Sequence, residues 1–442
     1  MSKPIVAIVG RPNVGKSTFF NKIIGKRISI VEDTPGVTRD RIYQETEWNG
    51  VTFGLIDTGG IEPDSQDIIL SQMREQAQIA MDMADVILFL VDGKDGLTHA
   101  DREVANMLMR TGKHVILVVN KVDNPRNLPD DFYDFYELGL GDPVPVSAAN
   151  MLNFGDVLDE IVDNFPSEEY ESDEDVIQLA IIGKPNVGKS SLVNKLLGEK
   201  RVIVSPIAGT TRDSIDTPYE KDGVKYNLID TAGIRRHAKV TDEIEKYSVI
   251  RATMAIERCD VAILMIDASE GITEQDKKIA GIAHEAGKGI MVVVNKWDLL
   301  TKETNTMRDF KKEIEKEFPF MTYAPSLFIS VKDNQRVNQV IEMARTISEN
   351  RAMRVPTGKL NSLIADCVMM KQPPSDKGRR LKIYYTTQVS VKPPLFSFQI
   401  NDRELMHFSY ARYLENRIRE AFGGFVGTSV KFVFREKGEK VE

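Results

Sequence analysis

Cysteine is nearly absent from this sequence, whose 442 residues include only Cys259 and Cys367. Two cysteines cannot form a disulfide framework, and this pair lacks the spacing of a metal site, so both are expected to be reduced thiols. A secretory leader is not expected either, because Lys3 and Pro4 lead directly into an apolar run. These absences together predict a cytoplasmic protein.

Long hydrophobic runs are also missing. The longest ones have the length of strands and are far too short to span a bilayer: residues 86–91, 115–119 and 290–294. The composition, 42% hydrophobic and 28% charged, is that of a globular chain, and the length is typical of about three domains. We therefore expect no membrane partner.

Positive charge is scarce outside the C-terminal part. Residues 351–442 hold 17 basic and 9 acidic residues, a net charge of +8, whereas the rest holds 41 basic and 57 acidic residues, a net charge of −16. A basic unit joined to an acidic body indicates a nucleic acid or another polyanion as partner, although a solvated basic face would look the same. Residues 167–175 contain six acidic residues and no basic one, which predicts a self-repelling linker or, alternatively, an acidic recognition element.

What the sequence does contain is one motif in two copies. Residues 10–17 read GRPNVGKS and residues 183–190 read GKPNVGKS, so both fit G-x-x-x-x-G-K-[ST]. A strand pattern precedes each copy and a helical pattern follows it, as in a phosphate-binding loop and unlike a chance glycine-rich turn. In such a loop the backbone N–H groups bind an anion at a helix N-terminus, the lysine neutralises the outer phosphates, and the final hydroxyl ligates Mg²⁺.

Further short motifs follow the first loop in a fixed order: TPGVTRD at 34–40, DTGG at 57–60, NKVD at 120–123 and SAA at 147–149. Asp57, at a strand end, is placed to hold Mg²⁺ through water, and the Gly60 N–H can bond a γ-phosphate. The Asp123 carboxylate can accept hydrogen bonds from both N1–H and the exocyclic amine of guanine, a donor pair that adenine lacks, so it selects GTP over ATP. The backbone at Ala148 can donate to guanine O6.

The second copy repeats this order: AGTTRD at 208–213, DTAG at 230–233, NKWD at 295–298 and SVK at 330–332. The last of these departs from the Ser-Ala of the first copy and is the weakest match. Two N-K-x-D motifs in register behind phosphate loops are not two chance surface turns. The alternation of strand and helix patterns around them predicts an α/β fold, with a parallel sheet covered by helices on both faces.

This doubled set of motifs resembles the Der/EngA family of bacterial tandem GTPases, over essentially the full length of the chain. The resemblance implies two tandem Ras-like P-loop GTPase domains, at 1–166 and 176–350, joined by the acidic linker 167–175. A small α+β KH-like domain would follow at 351–442. It also implies slow GTP hydrolysis, a role in maturing the large ribosomal subunit, and a monomer whose partners are ribosomal RNA or ribosomal proteins.

The resemblance transfers roles to individual residues. Catalysis is expected from Lys16, Thr38, Gly60, Lys189, Thr211 and Gly233. Nucleotide contacts are expected from Gly10, Asn13, Val14, Gly15, Lys16, Ser17, Thr18, Asp57, Asn120, Lys121, Asp123, Ser147, Ala148, Gly183, Asn186, Val187, Gly188, Lys189, Ser190, Ser191, Asp230, Asn295, Lys296, Asp298, Ser330 and Val331. Metal contacts are expected from Ser17, Thr38, Asp57, Ser190, Thr211 and Asp230 for Mg²⁺, and from Asn13 and Asn186 for K⁺.

Neither copy has the glutamine that Ras-type GTPases carry after D-x-x-G. Ile61 and Ile234 stand there instead, and neither can orient water, so slow intrinsic turnover is expected, with water positioned by backbone groups or a partner. Asn13 and Asn186 each offer a side-chain carbonyl oxygen suited to K⁺ beside the phosphates. The alternative is that asparagine only tolerates the turn geometry at these positions.

The C-terminal part reads as a helix at 360–370, a basic loop at 371–380, strands at 381–391 and 396–400, a helix at 410–422 and a strand at 429–434. The order α-β-β-α-β is that of the family's KH-like domain. Its only G-x-x-G, residues 424–427, lies between the last helix and the last strand, so we interpret it as a helix C-cap and turn. The domain is then expected to dock on ribosomal RNA, on protein or on the neighbouring GTPase domain. Six clustered aromatic residues are expected mostly in its core: Tyr384, Tyr385, Phe396, Phe398, Tyr410 and Tyr413.

Two classes of function remain open on these observations. The chain is either a switch enzyme that hydrolyses GTP to time its association with a ribosomal particle, or a binding module in which one nucleotide site is only structural or regulatory. A GTPase of tRNA modification is a third hypothesis, which requires a catalytic cysteine near the C-terminus. Cys367 lies in an apolar helical pattern that suits a core better.

Overall fold

The computed structural model describes residues 4–25, 43–58, 77–78, 80–81, 83–124, 128, 130–165, 176–198, 216–229, 245–301, 305–376 and 379–436. The acidic segment 167–175 lies outside these residues. The chain divides into two compact units, Met1–Glu171 and Ser172–Glu442.

A six-stranded sheet forms the centre of the first unit. Its strands are β1 (Ile5–Val9), β2 (Tyr43–Trp48), β3 (Val51–Asp57), β4 (Val86–Asp92), β5 (His114–Asn120) and β6 (Val144–Pro145). Their order is β2-β3-β1-β4-β5-β6, and every neighbouring pair is parallel except β2 with β3. Strands β1 and β4 are buried at every position, which explains why they read as unbroken apolar runs.

The antiparallel edge strand is a detail that the predicted parallel sheet did not include. A two-residue turn joins β2 to β3 and consists of Asn49 (φ 49°) and Gly50 (φ 81°). The second unit repeats it with Asp222 (φ 52°) and Gly223 (φ 75°). Asn-Gly and Asp-Gly supply the two positive φ angles of a type I′ hairpin turn, whose twist matches that of the flanking strands. These dipeptides were the sequence signal that would have predicted the hairpins.

Helices of the first unit begin where the loops leave the sheet. Those whose bounds lie within the described residues are α1 (Lys16–Ile24), α2 (His99–Met109) and α3 (Phe154–Asp163), together with a 3₁₀ helix at Asp130–Leu138. A capping box starts α2, in which the Thr98 side chain and the Asp101 carboxylate each accept a backbone N–H of the other residue.

The second unit begins with the same sheet topology, in the order β8-β9-β7-β10-β11-β12. Its strands are β7 (Val176–Ile182), β8 (Thr217–Lys221), β9 (Val224–Ile229), β10 (Val261–Asp267), β11 (Gly289–Asn295) and β12 (Ser326–Phe328). Its helices are α4 (Lys189–Leu197), α5 (Glu245–Arg258), α6 (Glu274–Glu285), α7 (Thr306–Glu317) and α8 (Val337–Ala352), with a 3₁₀ turn at Trp297–Leu299. Two folds of one design therefore follow each other along the chain.

The remainder of the second unit is an α+β fold. It comprises α9 (Thr357–Met370), β13 (Ser375–Asp376), β14 (Arg379–Arg380), β15 (Ile383–Val391), β16 (Pro394–Ile400), a 3₁₀ turn (Arg403–Leu405), α10 (Phe408–Ala421) and β17 (Lys431–Glu436). In the three-stranded sheet, β16 pairs antiparallel with β15 and parallel with β17. The predicted α-β-β-α-β order is present, but the predicted loop 371–380 carries the short β13–β14 ladder.

The prediction of core aromatics in this domain is wrong for two of the six. Phe396, Phe398 and Tyr410 are buried, and Tyr413 is partly buried against the same core, whereas Tyr384 and Tyr385 are 50% and 49% exposed. The register between β15 and β16 shifts between positions 383 and 385. Such an irregularity breaks the two-residue alternation of side chains, so two successive residues face solvent.

The segment 424–427 ends α10 and also docks the C-terminal domain. The Gly424 N–H donates to Arg419 O at 2.6 Å, as the C-cap prediction requires. The Gly427 N–H donates to Tyr323 O (2.9 Å), and Ile290 N–H donates to Gly427 O (2.7 Å). Both partners belong to the preceding GTPase-like fold, so this glycine segment is a contact between the two folds of the second unit.

Both cysteines are buried and free. Burial raises the pKa of Cys259 to about 12, and Cys367 lies in the C-terminal hydrophobic core. A buried thiol of this kind is inert, which removes support from the hypothesis of a catalytic cysteine. Among the described helices, none has the length and hydrophobicity needed to cross a bilayer.

Candidate functional site

Two loops of the same conformation connect β1 to α1 and β7 to α4. Gly15 and Gly188 are the N-cap residues of these helices, with φ of 98° and 101°. A Cβ at Gly15 would lie 2.3 Å from Asn120 Nδ2, and one at Gly188 would lie 2.3 Å from Asn295 Nδ2. Both the positive φ and the close approach require glycine at these two positions.

The loop lysines fold back over their own loops. Lys16 Nζ donates to Gly10 O (2.6 Å) and to Arg11 O (2.8 Å). Lys189 Nζ makes the same pair of bonds in the second unit, with Gly183 O at 2.7 Å and Lys184 O at 2.6 Å. Each ammonium group is thus held at the loop, where a cation can meet phosphate oxygens approaching the helix N-terminus.

The N-K-x-D asparagines connect three motifs at once. Asn120 Nδ2 donates to Val14 O (2.7 Å) in the phosphate loop, and its Oδ1 accepts the Ala148 N–H (2.9 Å). In the second unit, Asn295 bonds Val187 O (2.8 Å) and the Val331 N–H (3.1 Å). Asn120 and Asn295 are buried, at 2% and 3% exposure. The structure therefore gives them a positioning role that sequence reasoning had missed, since it expected only a nucleotide contact.

The SVK motif at 330–332 was the weakest sequence match, but in the structure Val331 makes the same contact as Ala148. The Val331 N–H meets Asn295 as the Ala148 N–H meets Asn120. Ser147 and Ser330 each form a β-bridge five residues ahead, with Leu152 and Gln335. Because a backbone N–H carries the interaction, the change of side chain from alanine to valine leaves the arrangement unaltered.

The Asp123 carboxylate is held by side chains around it. Its Oδ1 accepts from Ser147 Oγ (3.0 Å) and Asn150 Nδ2 (3.2 Å), and its Oδ2 accepts from Lys94 Nζ (2.9 Å). The hydrogen bond from Lys94 holds the pKa of Asp123 below its usual value, and the Ser147 hydroxyl acts in the same direction. The carboxylate is thus ionised and oriented, ready to accept a pair of N–H groups from a base.

The N-K-x-D lysines pair with aspartates at the ends of the neighbouring strands. Lys121 forms an ion pair with Asp92, and Lys296 forms one with Asp267. Burial alone would raise the pKa of Asp92, but its bonds with Lys121 and with the Lys94 N–H outweigh burial and hold the pKa below its usual value. Each pair orients its lysine stem at the carboxyl edge of the sheet, where ligands bind in doubly wound folds.

Two of the residues predicted to hold Mg²⁺, Asp57 and Ser17, lie at the ends of elements next to β1 in the first unit. Asp57 ends β3, is 2% exposed, and is paired in register with Ile8 of β1. Ser17 is exposed in the first turn of α1, as is Thr18. A carboxylate and a hydroxyl are the hard ligands that Mg²⁺ prefers. In the second loop Ser190 and Ser191 hold the places of Ser17 and Thr18.

Five predicted site residues lie outside the described part of the chain: Thr38, Gly60, Thr211, Asp230 and Gly233. Asn13 and Asn186 are described, exposed and left-handed, with φ of 65° and 63°. This conformation supports the turn-geometry alternative, because asparagine adopts it more readily than most residues. It is equally compatible with a side-chain oxygen facing a cation.

Sequence reasoning also missed a second pairing at each loop. Arg11 Nη1 lies 3.1 Å from Asp95 Oδ2, and Lys184 Nζ lies 2.5 Å from Glu270 Oε2. Base and acid stand at the same places in the two copies. The sequence contained a signal for this pairing. In both copies a basic residue directly follows the first loop glycine, and an acidic residue stands three positions after the aspartate that ends β4 or β10.

Comparisons with known proteins agree with two phosphate-loop folds followed by a smaller C-terminal fold. A family model described as a 50S ribosome-binding GTPase matches residues 5–121 and 178–296, and one described as the KH-domain-like C-terminal part of EngA bacterial GTPases matches 354–435. A protein of Alkaliphilus oremlandii named GTPase Der is 60% identical over 99% of both chains. Its counterpart in Alkaliphilus metalliredigens, also named GTPase Der, is 62% identical over 99% of both.

The chain belongs to the Der/EngA family of GTPases. It is therefore a GTP hydrolase with two tandem P-loop GTPase domains and a KH-like domain, as predicted. A crystal structure of Aquifex aeolicus Era with GDP and aluminium fluoride covers 59% of this chain and 93% of its own at 24% identity. The TM-score of this match is 0.30.

Proposed function

We propose that this GTPase is a switch that uses GTP hydrolysis to time its association with the large ribosomal subunit during maturation of that particle. The observation that carries the proposal is the repetition of one complete hydrogen-bond arrangement, from loop lysine to N-K-x-D asparagine, in both GTPase folds. The match to a family described as 50S ribosome-binding supports the choice of partner. We further propose the domain limits 1–166, 176–350 and 351–442, and a cytoplasmic monomer.

The nucleotide would bind at each loop with its phosphates on the helix N-terminus. Lys16 and Lys189 would leave the loop carbonyls for the outer phosphates, and Asp123 and Asp298 would accept guanine N–H groups. Mg²⁺ would be held by Ser17, Thr38 and Asp57 in the first domain and by Ser190, Thr211 and Asp230 in the second, and it supplies charge neutralisation when bound. Asn13 and Asn186 would hold K⁺ beside the phosphates.

Hydrolysis would depend on positioning and charge, because phosphoryl transfer leaves little covalent work to the protein. The buried Asn120 and Asn295 fix the base-binding motif against the phosphate loop, so both ends of the nucleotide are held in one frame. Ile61 and Ile234 cannot orient water, and slow turnover awaiting a partner suits a timing device. The loops containing Thr38 and Thr211 would close on GTP and release after hydrolysis.

The C-terminal domain supplies the polyanion-binding face in this proposal. Arg379 and Arg380 are exposed in the β14 strand, and Lys371 is exposed at the end of α9. Lys377, part of the same basic loop, lies outside the described residues. Contacts of this kind to ribosomal RNA would weaken steeply as salt rises, through release of counterions.

Co-sedimentation of the full-length protein with purified large subunits tests the proposal. We expect the bound fraction to differ between GDP and a non-hydrolysable GTP analogue, and to fall with salt less steeply in an Arg379→Ala/Arg380→Ala variant. Equal binding with both nucleotides would contradict the switch. It would favour the alternative, a ribosome-binding module in which a nucleotide site is only structural or regulatory.

A further inference from the structure

The 3₁₀ helix Asp130–Leu138 carries a pattern with a period of three residues. Residues 131–139 read DFY-DFY-ELG, so each triplet holds an acidic residue, an apolar residue and then a tyrosine or glycine. Side chains three apart in a 3₁₀ helix eclipse each other, because one turn takes three residues. The triplets are therefore sorted into three rows along the helix, and each row faces its own direction.

One row anchors the helix to the first GTPase domain. Phe132, Phe135 and Leu138 are 3%, 1% and 2% exposed. The rings of Phe132 and Phe135 also contact each other edge to face, with centroids 6.2 Å apart. Because this row is fixed in the core, the other two rows are held toward the surface.

The tyrosine row is an exposed apolar strip. Tyr133 and Tyr136 are 60% and 48% exposed, and their rings are nearly parallel, at 12°, with centroids 6.5 Å apart. Gly139 takes the third place in the row, and Met109 Sδ lies 3.4 Å from the position of its absent Cβ. Met109 is 46% exposed and extends the strip. We call Tyr133, Tyr136 and Met109 the tyrosine strip.

Carboxylates flank the strip. Asp131, Asp134 and Glu137 form the adjacent exposed row. Burial raises the pKa of the Tyr136 phenol, and the Asp142 carboxylate, which lies near Tyr136, adds to this effect. Glu137 pairs with Arg102 at 2.9 Å. In sequence, residues 130–142 hold five acidic residues and no basic one. The surface therefore combines two aromatic faces with a negative rim.

We propose that the tyrosine strip is a docking surface for an arginine-rich segment of a partner protein. A guanidinium group can lie over a tyrosine face while its N–H groups reach a neighbouring carboxylate. Exposed aromatics also stack on RNA bases, but proteins that use them so surround them with a basic groove. The negative rim repels phosphates and selects a cationic polypeptide.

At the corresponding place in the second GTPase domain, the described residues 305–325 form no paired tyrosine strip. Between its N-K-x-D motif and its last strand lies the α-helix α7, in which four basic residues are balanced by four acidic ones: Arg308, Lys311, Lys312 and Lys316 against Asp309, Glu313, Glu315 and Glu317. This helix of the second domain is thus charge-balanced, whereas the charged residues of 130–142 in the first domain are all acidic. The arginine-rich partner is specific to the first domain.

Binding of a synthetic peptide of alternating arginine and glycine to the full-length protein tests this inference, measured by fluorescence anisotropy. Replacing Tyr133 and Tyr136 together by alanine should weaken binding about five- to thirtyfold, from two exposed cation–π contacts. The matched control is Tyr384→Ala/Tyr385→Ala, which removes two equally exposed tyrosines elsewhere and should leave binding unchanged. Both pairs are exposed, and thermal melting should confirm that each variant keeps its fold.

A peptide of alternating lysine and glycine separates stacking from simple charge. The wild-type protein should prefer the arginine peptide, and the Tyr133→Ala/Tyr136→Ala variant should lose that preference. Asp131→Asn/Asp134→Asn should weaken the arginine peptide and flatten its salt dependence. Equal affinity of wild type and tyrosine variant, or tighter binding of oligouridylate through these tyrosines than of the peptide, would overturn the proposal.

Discussion

The two GTPase domains are alike at the phosphate end and different at the base end. In both, a buried asparagine connects the phosphate loop to the last base-contact loop through two hydrogen bonds. At the predicted base end, the residue two positions after the strand-end aspartate of β4 or β10 differs between the domains. Lys94 pairs with Asp123 in the first domain, whereas the corresponding Ser269 in the second bonds Asp267 instead, at 2.6 Å.

This difference shows which parts of the fold are under common constraint. The phosphate loop must present backbone N–H groups to the same triphosphate in both domains, so glycines, lysine and asparagine keep one geometry. The surroundings of the aspartates and the segments after them are free to differ in charge. We therefore expect shared catalysis but separate nucleotide affinities and separate protein partners.

The largest expected effect comes from removing the buried asparagine that connects the phosphate loop to the last base-contact loop in each domain. Asn120→Ala removes two buried hydrogen bonds and leaves Val14 O and Ala148 N–H without their partner, which should cost about 2–4 kcal/mol of unfolding free energy in the first domain. Asn295→Ala should do the same in the second. Thermal unfolding of each full-length variant, with and without GDP, measures this. Two variants with wild-type melting would show that the asparagines position nothing.

Loss of a loop lysine should have the next largest effect. Lys16→Ala should lower GTP turnover in the first domain by at least about tenfold, because a charge-assisted phosphate contact disappears. Lys189→Ala should act likewise on the second domain. Steady-state hydrolysis by the single and double variants measures the share of each domain. A double variant that hydrolyses GTP at the wild-type rate would contradict the assignment of both loops.

The fold and the phosphate sites could be predicted from sequence because their signals are local and repeated. GKS-type loops and N-K-x-D stand at strand ends in both copies, and the bounds of β4, β5 and β11 fall within one residue of the apolar runs 86–91, 115–119 and 290–294 that predicted them. The hydrogen bond from Asn120 to Val14 joins two residues that are 106 positions apart in the sequence. No local pattern carries such a contact.

The features that sequence reasoning missed also have local physical causes. The exposure of Tyr384 and Tyr385 follows from a register shift between β15 and β16. The antiparallel edge strands follow from the Asn-Gly and Asp-Gly turns, which are present in the sequence. The three-residue repeat that forms the rows of the 3₁₀ helix is also present in the sequence. The rows become meaningful only once the helix is known to have three residues per turn instead of 3.6.

Any stimulation of GTP hydrolysis by potassium can be compared between the two domains. If Asn13 and Asn186 hold K⁺, hydrolysis should be faster in KCl than in NaCl at equal ionic strength. Asn13→Ala should remove the stimulation in its own domain and leave nucleotide affinity nearly unchanged, and Asn186→Ala should do so in the other. Each variant is measured with the other domain silenced at its loop lysine. Equal rates in both salts would leave the left-handed turn as the sole reason for asparagine.

The smallest expected effect concerns the lysine that distinguishes the base ends. Guanine must share or displace Lys94 at Asp123, so Lys94→Ser should tighten GDP binding in the first domain by up to about fivefold, the range of an exposed ion pair. The reciprocal Ser269→Lys should weaken GDP binding in the second. Titrations at low and high salt check both, since the difference should shrink as salt rises. Weaker binding by Lys94→Ser would mean that Lys94 contacts the nucleotide itself.

The number of GDP molecules bound per chain tests the central claim, that both domains are working guanine sites. Isothermal titration calorimetry of the wild-type protein should give two, and Asp123→Asn or Asp298→Asn should each weaken one site about 10- to 100-fold through loss of a charge-assisted acceptor. The double variant should lose guanine preference at both sites. A single bound GDP in the wild-type protein, or unchanged binding in either aspartate variant, would contradict the account.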